Sequence, residues 1–137
     1  MSEQNKYAKG WAERWTKGDV DSFLQLFTDD CRYEDIATGY VCNGKEELRK
    51  FYEVVHTASP GLLLQLTESF GSGEDVAMQW VMSGTVTGEF PGYGKGTGKA
   101  YSTKGASIVK LKEGKICSIR DYCNISSPST QGESHHQ

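Results

Sequence analysis

The sequence lacks long hydrophobic runs and clusters of basic residues. No apolar stretch is longer than Leu62–Leu64, which is far too short for a membrane span or for the core of a signal peptide. Fifteen lysine and arginine residues are scattered among 18 acidic residues, and the net charge is −3, so the chain offers no basic face to nucleic acid. We therefore expect a cytoplasmic protein that binds neither membranes nor nucleic acid.

Motifs for disulfide frameworks and metal sites are also missing. Cys31, Cys42, Cys117 and Cys123 lie in hydrophobic segments and form no C-x-x-C pair, which favours buried free thiols. No H-x-x-x-H or H-E-x-x-H motif occurs, and the position of His56, at the end of a predicted helix, is typical of a surface or capping histidine whose charge complements the helix dipole. We therefore expect no metal and no other cofactor.

Three helices are predicted before Pro60. An aromatic stripe at helical spacing marks the first helix. The second is capped by Asp19 and its apolar positions continue through Phe27. The third begins at Asn43, with Glu46 completing a capping box, and stops before the proline because the residue preceding a proline disfavours helical geometry.

After the third helix the apolar period changes to two, which is typical of strands. Four strands follow, and the turns Gly71–Gly73 and Glu113–Lys115 join them pairwise into hairpins. Cys31–Asp35 and Tyr40–Cys42 predict a small strand pair between the second and third helices. This order of elements indicates an α+β domain whose helices pack against one face of a bent sheet.

The length and composition allow a single core. The chain has 137 residues, 36% of them hydrophobic, and no internal repeat, so one domain is expected. From Ser126 onward the residues are polar and have no periodicity, which is typical of disorder. We predict one domain over 1–125 and a disordered polar tail over 126–137.

Asp121 is the first candidate for chemistry. Period two places it on the apolar face of the last strand, together with Cys117, Ile119 and Cys123. Loss of solvent there raises the pKa of a carboxyl group towards neutrality, which makes it usable as an acid or a base. The alternative is a structural aspartate that is bonded to the backbone or paired with an arginine.

Asp35 is the second candidate. It ends the first short strand on the same face as Tyr33 and precedes a predicted turn. It could point into the same cavity as Asp121, and two carboxyl groups can work as an acid and base pair. The alternative is an aspartate that caps the turn.

Six aromatic residues could line a cavity for a flat apolar ligand, because tyrosine and tryptophan bring polar tips into an apolar wall. They are Trp11, Trp15, Tyr33, Tyr52, Trp80 and Tyr101. The alternative is that they form an ordinary core. The glycine-rich segment Gly88–Lys99 does not match a phosphate-binding loop and favours a lid between two strands.

Several segments carry a resemblance to a known family. Trp15–Asp19, Leu26–Asp35, Gly44–Tyr52 and the final Gly114–Tyr122 resemble the nuclear transport factor 2-like superfamily, particularly its SnoaL-like polyketide cyclase and ketosteroid isomerase branches. The resemblance implies a cone-shaped α+β barrel with three N-terminal helices on a strongly curved, mostly antiparallel sheet. It also implies a homodimer formed through the convex face of that sheet.

The same resemblance assigns roles to residues. It aligns Asp35 with the general base of ketosteroid isomerase and Asp121 with the acid or base aspartate of SnoaL-like cyclases. Trp11 stands where the isomerase has its oxyanion-binding tyrosine, and the second oxyanion donor falls near Ala106 or Ser107, so that oxyanion hole is missing.

These observations lead to two functional hypotheses. The first is a cofactor-free enzyme of the isomerase, cyclase or hydrolase type, in which Asp121 and Asp35 transfer protons on a small apolar molecule. That molecule would contact the six aromatic residues together with Ile119 and Cys123. The second is a non-catalytic module of the same fold that binds a small molecule or serves dimerisation.

Overall fold

The computed structural model describes residues 3–90, 94–95 and 98–123. Within these residues three helices lie at α1 Glu3–Lys17, α2 Val20–Leu24 and α3 Lys45–Ala58. The strands are β1 Phe27–Asp35, β2 Tyr40–Asn43, β3 Leu63–Ser72, β4 Asp75–Thr85, β5 Glu89–Phe90, β6 Gly94–Lys95, β7 Ala100–Lys112 and β8 Lys115–Cys123.

Six of these strands form one mostly antiparallel sheet in the order β2-β1-β8-β7-β4-β3. The predicted strand pair and the predicted meander are therefore both present, and the parallel pairing of β1 with β8 joins them. Strands β5 and β6 form a separate hairpin. The predicted α+β class, with three helices on a curved and mostly antiparallel sheet, is confirmed.

The helices pack on one face of the sheet and enclose the hydrophobic core. Where they meet, the ring of Trp15 stacks on Tyr52 with centroids 4.7 Å apart and lies 4.8 Å from Phe23. Alternate strand residues such as Val76 and Met78 are buried against this helical layer. The opposite face of the sheet carries the exposed side chains of Phe70, Ile108 and Tyr122.

Two predicted helix boundaries are wrong. Helix α2 ends at Leu24, and Phe27 is the fully buried first residue of β1, where it pairs with Ile116 of β8. The N-cap of α3 is Gly44, which has no side chain to accept a hydrogen bond. Instead, the backbone N–H of Asn43 donates to Glu47 Oε1 at 2.8 Å, so the predicted capping interaction is displaced by one residue and only its carboxylate half is present.

The predicted face of Cys117 is wrong, because β8 contains a bulge at this residue. The register with β7 shifts after Lys110, and both Ile116 and Ile119 are buried. Cys117 is instead half-buried, and its thiol contacts the carbonyl oxygen of Lys110 at 3.4 Å. Regular alternation holds from Ile119 onward, so this residue shares its face with Asp121 and the half-buried Cys123.

The other two cysteines, Cys31 and Cys42, are buried and free as predicted. Burial raises the pKa of the Cys31 thiol to about 11 and that of the Cys42 thiol to about 12. Both thiols therefore stay protonated and behave as small apolar groups at neutral pH.

Residues 124–137, which include the predicted tail, lie outside the described residues, as do parts of the predicted lid over Gly88–Lys99. The described part of that segment contains the β5–β6 hairpin. Next to it, the backbone N–H groups of Thr87 and Gly88 donate to the carbonyl oxygen of Ala58 at the end of α3, at 2.8 and 3.3 Å. None of the helices found in the described residues is long and apolar enough to cross a membrane.

Helix α3 contributes strongly to the core through Leu48, which is fully buried, whereas Leu63 on β3 is 40% exposed. We expect Leu48→Ala to lower the free energy of unfolding by about 3 kcal/mol, because it removes buried methyl groups and leaves a cavity. The matched variant Leu63→Ala should lower it by less than about 1 kcal/mol. Chemical denaturation measures both, and equal losses would contradict this packing of α3.

Candidate acid–base site

A small cavity of about 60 Å³ lies between the helices and the inner face of the sheet. Seven of the ten predicted site residues form part of its wall: Trp11, Trp15, Tyr33, Asp35, Trp80, Asp121 and Cys123. They come from α1, β1, β4 and β8. The remaining wall is apolar and was not predicted: Phe51, Val55, Leu62, Leu64 and Met82.

The other three predicted residues do not reach the cavity wall. The hydroxyl of Tyr52 donates to the carbonyl oxygen of Arg14 at 2.5 Å, which ties α3 to α1. The hydroxyl of Tyr101 lies 3.0 Å from Ser59 Oγ in the interior. Ile119 is fully buried between neighbouring strands. These three side chains lie in the core, outside the wall of this cavity.

The two predicted carboxyl groups are brought together by the parallel strand pair. Asp35 on β1 is the register partner of Asp121 on β8, and the backbone N–H of Ile36 donates to the carbonyl oxygen of Asp121 at 3.0 Å. Because side chains at paired positions point to the same face of a sheet, both carboxyl groups lie at the same side of the cavity.

Both oxygens of Asp121 accept hydrogen bonds from buried hydroxyl groups. The Tyr33 hydroxyl donates to Oδ2, and the Ser107 hydroxyl donates to Oδ1 at 2.5 Å. Ser107 in turn accepts a hydrogen bond from Trp80 Nε1 at 2.9 Å. Asp121 thus accepts a hydrogen bond at each of its two carboxyl oxygens.

Burial dominates the ionisation of Asp121. It raises the pKa of this carboxyl from 3.8 to about 7, although the hydrogen bonds from Ser107 and Tyr33 lower it, and the nearby charge of Asp35 raises it further. The pKa of Tyr33 is well above its ordinary value because of burial and then the charge of Asp121. The tyrosine hydroxyl therefore stays protonated at neutral pH and remains a hydrogen-bond donor.

The pKa of Asp35 is also raised by burial, while hydrogen bonds from Thr38 and Ala37 oppose the rise. One of these bonds joins the Ala37 backbone N–H to Asp35 Oδ1 at 3.1 Å. Asp35 therefore has both of its predicted features: it caps the turn after β1 and it lines the cavity.

Ser107 was not among the predicted site residues, although the resemblance placed the second oxyanion donor of the isomerase near Ala106 or Ser107. It shares the parity of the buried Val109 and Leu111 on β7, so a polar residue at this inward position is a signal that strand alternation provides. Its significance depends on Trp80, which reaches it from β4.

The residues described offer no evident metal site, since no three His, Cys, Asp or Glu side chains among them cluster as ligands do. The expectation that His56 is a surface or charged capping residue is wrong. Its ring packs against Trp15 and Tyr52 with centroids 5.9 and 4.5 Å away. Burial lowers its pKa, so the side chain is neutral at pH 7.

A carboxyl group with a pKa near 7, in a cavity with apolar walls, can both donate and accept a proton at physiological pH. Three helices over one face of a curved, mostly antiparallel sheet are the architecture of a nuclear transport factor 2-like domain. Residues 8–119 match the model of the SnoaL-like domain. The chain belongs to the SnoaL-like domain family.

Solved structures share the fold at low sequence identity. A candidate SnoaL-like polyketide cyclase from Jannaschia sp. CCS1 has a TM-score of 0.82 at 16% identity, over 96% of this chain and 92% of that one. A candidate polyketide cyclase from Pseudomonas putida KT2440 has a TM-score of 0.81 at 20% identity, over 96% and 98%.

A third structure comes from Catenulispora acidiphila DSM 44928. This protein of ketosteroid isomerase-like fold, crystallised with trimethylamine, has a TM-score of 0.80 at 21% identity, over 93% of this chain and 92% of that one. No protein of curated function matches the sequence significantly. The structural similarities therefore define the fold, and the chemistry has to be argued from the site.

The raised pKa of Asp121 makes stability depend on pH. The folded state retains a proton that the unfolded chain releases, so the stabilisation present below the ordinary pKa of 3.8 is lost as the pH rises through about 7. Relative to Asp121→Asn, the free energy of unfolding of the wild type should fall by on the order of 4 kcal/mol between about pH 4 and about pH 8.

Denaturant titrations at several pH values measure this difference. Asp75→Asn, which changes an exposed aspartate on β4, should retain the wild-type pH dependence. Parallel curves for the wild type and Asp121→Asn would show that Asp121 has no raised pKa.

Proposed function

We propose that this protein is a cofactor-free acid–base enzyme that moves a proton next to a carbonyl group or at a ring-closing carbon. The observation that supports this proposal is the position of the half-buried Asp121, a carboxyl group with a pKa of about 7 at the wall of an apolar cavity. In its ionised form it takes a proton from a carbon atom of the substrate. In its protonated form it returns that proton at another position.

Asp35 supports this role through its charge. As the register partner of Asp121 it raises the pKa of that carboxyl, and two neighbouring carboxyl groups resist simultaneous ionisation. The pair therefore holds a proton at a pH where an isolated carboxyl would have lost it. The similarity to candidate polyketide cyclases and to a ketosteroid isomerase-like protein favours ring closure or isomerisation among proton-transfer reactions.

The cavity restricts the substrate class. At about 60 Å³ it is much smaller than the several hundred Å³ typical of ligand sites, which span about 300 to 1,000 Å³. A compact apolar molecule, or the reacting end of a longer one, matches this space. The indole rings of Trp11 and Trp80 provide flat apolar surface beside the carboxyl groups.

The alternative is a non-catalytic module of the same fold that binds a small molecule or mediates dimerisation. It is favoured by the outer face of the sheet, where Phe70, Ile108 and Tyr122 are 59%, 42% and 41% exposed. The register places Phe70 and Ile108 on either side of Ala77, so they form one apolar row across three strands.

We also propose that this outer face joins two copies of the chain. Ile108→Asp would place a charge within the apolar row and should convert a dimer into a monomer. Light scattering after size-exclusion chromatography measures the mass. Lys50→Asp, which changes an exposed position on α3 away from this face, should leave the dimer intact, and a monomeric wild type would contradict the proposal.

The cellular location is proposed from the cysteines. None of the four forms a disulfide among the described residues, which fits a reducing compartment, and we propose the cytoplasm. A fluorescent fusion of the full chain that accumulates in another compartment would contradict this.

The proposed chemistry can be tested without knowing the natural substrate. Exchange of hydrogen for deuterium next to the carbonyl of cyclic ketones with one and two rings, followed by proton NMR in D₂O, reports proton abstraction directly. The wild type should accelerate exchange over buffer, and Asp121→Asn should reduce that acceleration by about 100-fold, since it removes the group that takes the proton.

Two further variants sharpen the test. Asp35→Asn should shift the acid limb of the exchange profile to lower pH, because it removes a charge that raises the pKa of Asp121. Asp75→Asn should exchange at the wild-type rate. Equal exchange by the wild type and Asp121→Asn would exclude Asp121 as the base and favour the non-catalytic module.

A further inference from the structure

We propose that Trp80, Ser107 and Gly105 are positioning residues that fix the direction of the proton at Asp121 Oδ1. This inference rests on the proposed function only for its effect on turnover. Its effect on the ionisation of Asp121 can be measured without any substrate.

The direction follows from the chemistry of the donors. The indole Nε1 of Trp80 can only donate, and it donates to Ser107 Oγ at 2.9 Å. A serine hydroxyl has a single proton, and Ser107 Oγ lies 2.5 Å from Asp121 Oδ1. With its oxygen already accepting from the indole, the hydroxyl is directed to donate to the carboxylate.

Burial prevents water from replacing either partner. Ser107 is fully buried and Trp80 is 5% exposed. Ser107 is the register partner of Asp121 on the adjacent strand, so the two side chains lie together on the inner face. On the other side of the carboxylate, the Tyr33 hydroxyl donates to Oδ2. The carboxylate plane is therefore fixed by a donor at each oxygen.

Gly105 makes the approach of the indole possible. Trp80 pairs with Gly105 across β4 and β7, and a Cβ atom at Gly105 would lie 2.3 Å from Trp80 Cη2 and 2.5 Å from Cζ2. Any side chain at this position would displace the ring, because these distances are far below van der Waals contact. The missing side chain lets the indole lie against β7 and reach the serine two residues further along.

The chain of hydrogen bonds from Trp80 through Ser107 to Asp121, here called the relay, acts against the effect of burial on the pKa of Asp121. Burial alone favours the protonated carboxyl, whereas the hydrogen bonds from Ser107 and Tyr33 favour the carboxylate. Removing a donor should therefore raise the pKa of Asp121 above its value of about 7. Asp121 would then be a weaker source of carboxylate at pH 7.

The test is a pH titration of the full-length protein labelled with ¹³C at aspartate carboxyl carbons, with Asp121→Asn used to assign the signal. Ser107→Ala should raise the pKa of Asp121 by about one to two units, because a hydrogen bond to a charged acceptor is lost. Trp80→Phe should raise it by less, since the serine keeps its hydroxyl but loses its fixed direction. Gly105→Ala should act in the same direction as Trp80→Phe.

Matched controls separate positioning from general disturbance. Ser102→Ala makes the same change at an exposed position of β7 and should leave the titration unchanged. Ser107→Thr retains the hydroxyl and should restore a pKa close to that of the wild type. Circular dichroism verifies folding, and Trp80→Phe provides the measurement if a Ser107 variant does not fold.

An unchanged Asp121 pKa in both Ser107→Ala and Trp80→Phe would overturn the relay. A shift in Ser107→Ala with none in Trp80→Phe would overturn the part assigned to the indole and to Gly105. These outcomes are distinct from failure of the proposed function. A shifted pKa without any loss of deuterium exchange in Asp121→Asn would leave the relay valid and the enzyme hypothesis wrong.

Discussion

The parallel pairing of β1 with β8 is the constraint on which the site depends. It is the single parallel contact in the six-stranded sheet described here. A meander of β3, β4, β7 and β8 alone would present Asp121 without Asp35 and without the hydroxyl of Tyr33. The pairing adds both residues to the same face, and the strand pair β1–β2 closes this side of the sheet against α3.

The ionisation of the half-buried Asp121 is set by effects that oppose each other. Donors from Tyr33 and Ser107 stabilise the charged form, while burial and the charge of Asp35 stabilise the protonated form. Because these effects oppose each other, neither form is strongly preferred near neutral pH. A core built for stability alone would place an apolar residue at this position.

Local patterns in the sequence predict much of this fold and part of the site. The helical period of the first helix, the change to period two after Pro60 and the apolar face around Asp121 each depend on neighbouring residues, and each is present in the structure. Phe27 was assigned to a helix because its spacing continues that of α2, but pairing with Ile116 places it in β1. Local spacing cannot predict such a competition, because the partner strand lies far away in the sequence.

The arrangement around Asp121 shows the same limit more clearly. Seven predicted residues meet at one cavity, yet Tyr52, Tyr101 and Ile119 belong to the core, since period and aromatic character do not distinguish a cavity wall from packed interior. The importance of Ser107 and Gly105 arises only when β4 lies beside β7.

The pairing of β1 with β8 has a further consequence for the speed of folding. Tyr33 and Asp121 are 88 positions apart in the chain, and contacts of such long range raise the contact order and slow the formation of native structure. The candidate site is therefore absent from any chain in which β1 and β8 have not yet paired.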